Sequence, residues 1–118
     1  MTISKKRLQS LGVKSKVWIE IEGLPFLGEG RSNLLKYIAE RGSISQAAKE
    51  VGISYKKAWS YIKNMEDRLG VVLVKKYVGG KGGGGTILTK DGEFLIGKFD
   101  QLLEGTQDAI DKSFHEIF

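Results

Sequence analysis

Within nine positions the chain places Lys56, Lys57, Ser60, Lys63 and Asn64. These are ammonium groups, a hydroxyl and an amide. They are suited to hydrogen bonding and charge pairing with anionic oxygens and base edges, not to bond making and breaking. A second unusual stretch is Gly79 to Gly85, which reads GGKGGGG and follows Lys75 and Lys76. A glycine loop holding a lysine invites a mononucleotide reading, but that loop requires Ser or Thr directly after its Lys and must open a helix. Here Lys81 lies inside the run, and Gly85 is followed by Thr86-Ile87-Leu88, which reads as a strand. No βαβ pattern surrounds it, so a dinucleotide fingerprint fails as well. Two readings remain open: a hairpin tip whose backbone at Gly82 and Gly83, with Lys75, Lys76 and Lys81 supplying charge, comes close to a nucleic acid, or a merely flexible loop.

Catalysis finds little to work with. There are no cysteines and one histidine, His115, near the end of a helical pattern, where an exposed residue is the simpler reading. Asp100, Glu104, Asp108 and Asp111 follow helical spacing and read as a solvated face. We therefore expect no catalytic residue, no metal site and no cofactor.

Charge is unevenly spread. Residues 1–53 carry nine Lys/Arg against five Asp/Glu, residues 54–90 eight against two, and residues 91–118 two against seven, giving +4, +6 and −5 for the net +5. A basic middle with an acidic tail fits one face meeting a polyanion while another points away, although a solvated charged surface gives the same counts. With 41% hydrophobic and 28% charged residues the chain is neither disordered nor a membrane protein. No apolar run nears the roughly 18 residues of a span, and the basic N-terminus lacks the apolar stretch of a secretory signal. The expected location is the cytoplasm.

Several elements are needed to position these groups. Lys16 to Glu22 alternates polar and apolar residues and predicts a strand, which Gly23 to Gly28 breaks. A helix is predicted over Arg31–Arg41, stopped by Gly42. Ser43 and Ser45 are alternative caps for a short helix over Gln46–Val51, ended by Gly52, and Ser54 caps a longer one over Tyr55–Leu69, closed by Gly70. Val71–Val78 and Thr86–Leu88 predict a hairpin, and Thr89 opens a last helix toward Phe118. The fold class is mainly α with a β-hairpin wing: a winged helix-turn-helix over 16–90, a C-terminal dimerisation helix over 91–118, and a basic segment over 1–15. The Lys5-Lys6-Arg7 cluster of that segment is either an arm reaching DNA or a solvated tail.

The helix-turn-helix rests on several features arriving together. Ala47 and Ala48 are small where two helices must approach, Gly52 supplies the turn, and Val51, Ile53, Ala58 and Ile62 supply the apolar contacts. Projected at about 100° per residue, Ala58, Ile62, Met65 and Leu69 share a core face, flanked by Tyr55 and Tyr61. Lys56, Ser60 and Lys63 point the other way, with Lys57 and Asn64 beside them. An ordinary amphipathic helix in a bundle explains the apolar face but not the rest. Trp59 lies at the boundary of the two faces, and packing against the wing or the helix Arg31–Arg41 is favoured over a base contact. The expected DNA-binding set is Ser43, Ser45, Gln46, Ser54, Tyr55, Lys56, Lys57, Ser60, Lys63, Asn64, Lys75, Lys81, Gly82 and Gly83.

GSISQAAKEVGISYKKAW (Gly42–Trp59) followed by GGKGGGGTILTKDGEFLI (Gly79–Ile96) resembles the N-terminal DNA-binding domain of the ModE family of molybdate-responsive transcription regulators, whose winged domain is akin to that of LysR-type regulators. The resemblance implies a homodimer, a recognition helix at Ser54–Leu69 and a wing at Lys75–Leu88. The family's molybdate-binding domains follow this region, and none of their residues has a counterpart here, so molybdate sensing by these residues is not expected and the effector stays unassigned.

On the last helix, Leu95, Phe99, Leu102, Leu103, Thr106, Ala109, Ile110, Phe114 and Ile117 form a stripe for which a second copy is the simplest cover. Burial against the chain's own domain is expected for Phe94 and Leu95. Two copies would set recognition helices about 34–36 Å apart on a palindromic double-stranded site. The function expected is that of a sequence-specific DNA-binding transcription regulator. A non-specific architectural DNA protein and a protein–protein adaptor remain alternatives.

Overall fold

Helix caps punctuate the chain where the side chains available could supply them. The computed structural model describes residues 2–79 and 83–118. In order it contains α1 (Lys5–Gln9), β1 (Ile19–Ile21), β2 (Leu24–Leu27), α2 (Glu29–Arg41), α3 (Ile44–Val51), α4 (Tyr55–Leu69), β3 (Val74–Tyr77), β4 (Gly85–Leu88) and α5 (Lys90–Ile117). Ser43 and Ser54 cap α3 and α4 by accepting the N–H groups of Gln46 and Lys57 at 3.1 and 3.0 Å. Ser45, the alternative cap, lies inside α3 instead. Gly52 ends α3 at φ 75°, a left-handed backbone that costs a side-chain-free residue nothing, and its N–H returns to the carbonyls of Ala48 and Lys49.

The predicted break at Gly23 to Gly28 is a hairpin. Glu22 (φ 52°) and Gly23 (φ 78°) both adopt positive φ, as a tight two-residue turn requires. Leu24–Leu27 then returns antiparallel to β1. Pro25 is tolerated because a two-stranded sheet consists only of edges. Val71–Leu73 is likewise not strand: Leu73 is fully buried and β3 begins one residue later. The wing pairs β3 with β4 in simple register, Val74 opposite Leu88 and Tyr77 opposite Gly85.

The core joins Leu34, Leu35 and Ile38 of α2, Ile44, Ala47 and Ala48 of α3, and Ala58, Ile62 and Met65 of α4. Phe26 and Leu27 of β2 close one side, and Leu73, Leu88 and Phe99 close another. Leu69, expected on the core face, is 40% exposed, because it occupies the last turn of α4 beyond the reach of α2 and α3.

At about 1.5 Å per residue, the 28 residues of α5 run about 42 Å, and the molecule measures 67 × 31 × 22 Å. The start of α5 is fixed to the wing. Thr89 accepts the Gly92 N–H and donates its hydroxyl to the Val72 carbonyl at 2.7 Å. A Cβ at Gly92 would lie 2.5 Å from the Leu73 carbonyl oxygen, so the close approach requires glycine. Phe99 is fully buried and the Lys36 ammonium meets Asp100 at 2.6 Å. Phe94, by contrast, is 63% exposed despite the expected burial.

The segment before β1 divides: Lys16, Val17 and Trp18 border a recess with Tyr61 of α4, while the residues ahead of them follow α5. Ser15 donates to Gln107 at 3.3 Å, and Lys5, Leu8 and Leu11 border a recess with Phe114 and Phe118. This sets Lys5–Arg7 beside the far end of α5, away from the same protomer's α4. Lys5, Lys6 and Arg7 are exposed there.

Candidate nucleic-acid interface

Because α4 buries Ala58, Ile62 and Met65, the positions between them must face outward. Lys56, Lys57, Ser60 and Lys63 are exposed there, with Tyr55 and Ser54 exposed at the N-terminal end. Ser45 and Gln46 are exposed on α3 and Ser43 is half-buried. The cap oxygens of Ser43 and Ser54 are occupied as acceptors, yet each hydroxyl keeps a proton to donate. Lys75 and Gly83 are exposed on the wing, while Lys81 and Gly82 lie outside the described residues.

Helix and wing meet across one recess. Ser43, Ser45 and Tyr55 border it on the helical side, and Lys76, Tyr77 and Val78 on the wing side. Two bonds set that relation. The Thr86 N–H donates to the Gly42 carbonyl at 2.9 Å, joining β4 to the turn before α3. Glu66, its side chain 10% exposed, accepts the N–H groups of Leu73 and Val74 through one carboxylate oxygen at 2.8 and 3.3 Å. An anionic acceptor makes these bonds stronger than neutral ones, so Glu66 locks the outgoing strand of the wing to α4. Lys63 stands 3.7 Å from the other Glu66 oxygen, too exposed for the pair to add much stability.

On the other flank Arg31 organises the surface. Its Nη1 donates to the Phe26 carbonyl at 2.9 Å and to Asn64 Oδ1 at 3.1 Å, and its guanidinium carbon stands 4.7 Å from the centre of the Tyr61 ring. Desolvation lowers the Arg31 pKa, with the Arg68 charge adding to the effect and Tyr61 opposing it. A guanidinium remains protonated at neutral pH all the same. Asn64 is thus half-buried and engaged, not simply an outward-facing amide. Trp59 is 45% exposed, with the Lys63 ammonium 5.6 Å from its ring centre.

Arg31 and Glu66 were not legible as site residues. They act through side-chain bonds to groups 33 and 7 positions away, which no periodicity encodes. Lys76, grouped with Lys75 as a source of charge on the wing, lies opposite Thr86 beside the recess. On the stripe of α5, Phe99 is fully buried within its own chain and is withdrawn from the dimerisation set, because α2 covers it. Leu102, Ala109 and Ile117 are exposed, and Leu95, Leu103, Thr106, Ile110 and Phe114 are half-buried. Among the described residues no group of His, Asp or Glu is arranged to hold a metal ion, and no helix is long and apolar enough to cross a membrane.

Known proteins are similar to this chain in sequence and fold. Over 86 residues the chain is 49% identical to the DNA-binding transcriptional dual regulator ModE of Escherichia coli (strain K12), a match covering 73% of this chain and 33% of that protein. It is 44% identical over 79 residues to the molybdenum-pterin-binding protein MopB of Rhodobacter capsulatus, covering 67% and 29%. The chain spans about a third of the length of the curated relatives it matches. In fold it is similar to the protein in the crystal structure of the CbnR_DBD-DNA complex, with a TM-score of 0.58 at 24% identity over 75% of this chain and 95% of that one. Residues 32–93, more than half of the chain, match the bacterial regulatory helix-turn-helix proteins of the lysR family, and the chain belongs to that family.

Proposed function

We propose that this chain is a transcription regulator that binds double-stranded DNA sequence-specifically, as a homodimer on a palindromic operator in the cytoplasm, and that it has no enzymatic activity. The observation that carries the reading is the shared recess: the first residue of α4, the start of α3 and the wing strand border one concavity, beside the exposed Lys56, Lys57 and Ser60. A recognition helix with its wing alongside can contact base edges and the flanking phosphates together. The regulator named ModE, so similar over its matched part, supports the same reading, and the stripe from Leu102 to Ile117 supplies a surface for the second copy.

Footprinting over duplexes carrying the chain's own promoter tests it. A protected two-fold site is expected. Lys56→Ala and Lys57→Ala should each lower affinity and reduce the slope of log affinity against log salt by about 0.9, one phosphate contact each. Added molybdate is expected to leave the footprint unchanged, and protection that appears only with molybdate would assign these residues a sensing role. A uniform ladder without a protected site would leave only non-specific binding.

A further inference from the structure

Asn64 lies on the half-buried flank of α4, and its side chain accepts a hydrogen bond from Arg31 Nη1 at 3.1 Å. Oxygen and nitrogen of an Asn amide are ordinarily told apart only by their network. Here the neighbour decides: a guanidinium has donors and no acceptor, so Oδ1 must face Arg31 and the amide nitrogen takes the opposite side. Arg31 cannot easily turn away. The same nitrogen holds the Phe26 carbonyl at 2.9 Å, and the guanidinium lies over Tyr61, one helical turn before Asn64. Strand β2, the first turn of α2 and the middle of α4 therefore converge on one amide, whose nitrogen has no hydrogen-bond partner among the described residues.

We propose that Arg31 is a positioning residue that makes Asn64 a hydrogen-bond donor to DNA. Its N–H group meets an acceptor, either a phosphate oxygen or an acceptor on a base edge. A freely turning Asn pairs with adenine in two directions at once, accepting from N6 and donating to N7. An amide whose oxygen is turned to a cation keeps one lone pair free and presents its N–H groups on the other side, so donation dominates. Guanine offers adjacent acceptors at N7 and O6 and suits a donor, whereas adenine places a donor beside its N7. The proposal rests on the DNA-binding reading above and adds the polarity of one contact within it.

Selection of bound duplexes from a random-sequence pool, in parallel for the wild type, Asn64→Ala, Arg31→Met and Arg31→Lys, tests the polarity. Positions whose base preference Asn64→Ala erases are those Asn64 reads, and the wild type should favour a G·C pair over an A·T pair there. If the acceptor is a phosphate, no position changes and Asn64→Ala weakens all sequences alike, several-fold. Arg31→Met frees the amide: adenine should rise at the read position, or for a phosphate contact affinity should fall to that of Asn64→Ala. Arg31→Lys keeps a donor-only cation and should retain part of the wild-type behaviour. Without DNA, Asn64→Asp should melt at or above the wild-type temperature, because a carboxylate accepts from Arg31 at least as well. Adenine favoured by the wild type at the Asn64-dependent position, or an Arg31→Met protein with unchanged profile and affinity, overturns the proposal. A wild type that retains no duplex sinks the DNA-binding reading itself, while the melting of Asn64→Asp still reports on the Arg31 bond.

Discussion

The helix-turn-helix body and the distal half of α5 are built on opposite terms. In the body, α2, α3 and α4 turn their apolar faces on one another, and Leu34, Leu35, Ile38, Ala47, Ala58 and Met65 have no measurable exposure. From Leu102 onward α5 has no fully buried residue: Leu102 is 43% exposed, Ile117 75% and Phe118 66%. The Phe114 and Phe118 rings stack at 4.9 Å, and the segment around Leu8 and Leu11 covers part of that end, but much of the apolar surface stays in water. The body closes its apolar faces on its own contacts and carries an exposed basic face. The apolar surface that the distal half leaves in water gains hydrophobic free energy only against another surface, the second copy in the dimer proposed above.

Paired substitutions on one helix test this contrast most strongly. Phe99→Ala empties a fully buried site and should cost about 3–5 kcal/mol in urea unfolding. Ile117→Ala should cost an isolated protomer almost nothing and instead lower the melting temperature in a concentration-dependent way, as loss of dimer contacts does. An Ile117→Ala protein melting like the wild type at every concentration would remove the distal stripe from the dimer seam.

A smaller effect is expected where body and wing join. Glu66→Leu leaves the N–H groups of Leu73 and Val74 without their acceptor and should cost about 2 kcal/mol. Glu66→Gln keeps a carbonyl acceptor without the charge and should recover about half of it. Equal losses in both, read by thermal melting, would mean that charge and not the acceptor fixes the wing. Smallest is the contrast between two glycines of α5. A Cβ added at Gly97 would meet only open space, so Gly97→Ala should stabilise by roughly 0.8–1 kcal/mol through helix propensity. Gly92→Ala gains the same propensity yet should destabilise, because of the Leu73 carbonyl. Destabilisation by Gly97→Ala would place another surface against the middle of α5.

Much of this architecture was readable locally. The bounds of α4, its Ser54 and Gly70 caps, the Gly52 turn and the wing follow from periodicity and capping, which act within one or two turns of chain. The hairpin return at Leu24–Leu27 is hidden in the sequence because Glu22 is an unusual residue for a positive-φ turn position and Pro25 is a usual strand breaker. Helix α1 is five residues long and carries no buried residue, so no apolar pattern marks it.

The sequence by itself determined which faces of α3, α4 and α5 are apolar and where the cations concentrate, since both follow from residue type and helical spacing. Tertiary structure alone decided that Phe99 belongs to the core while Leu102 does not, that Glu66 binds the wing, and that Arg31 turns the Asn64 amide. Those outcomes depend on which element approaches from which side, and side chains far apart in the chain meet only once the core has fixed that approach.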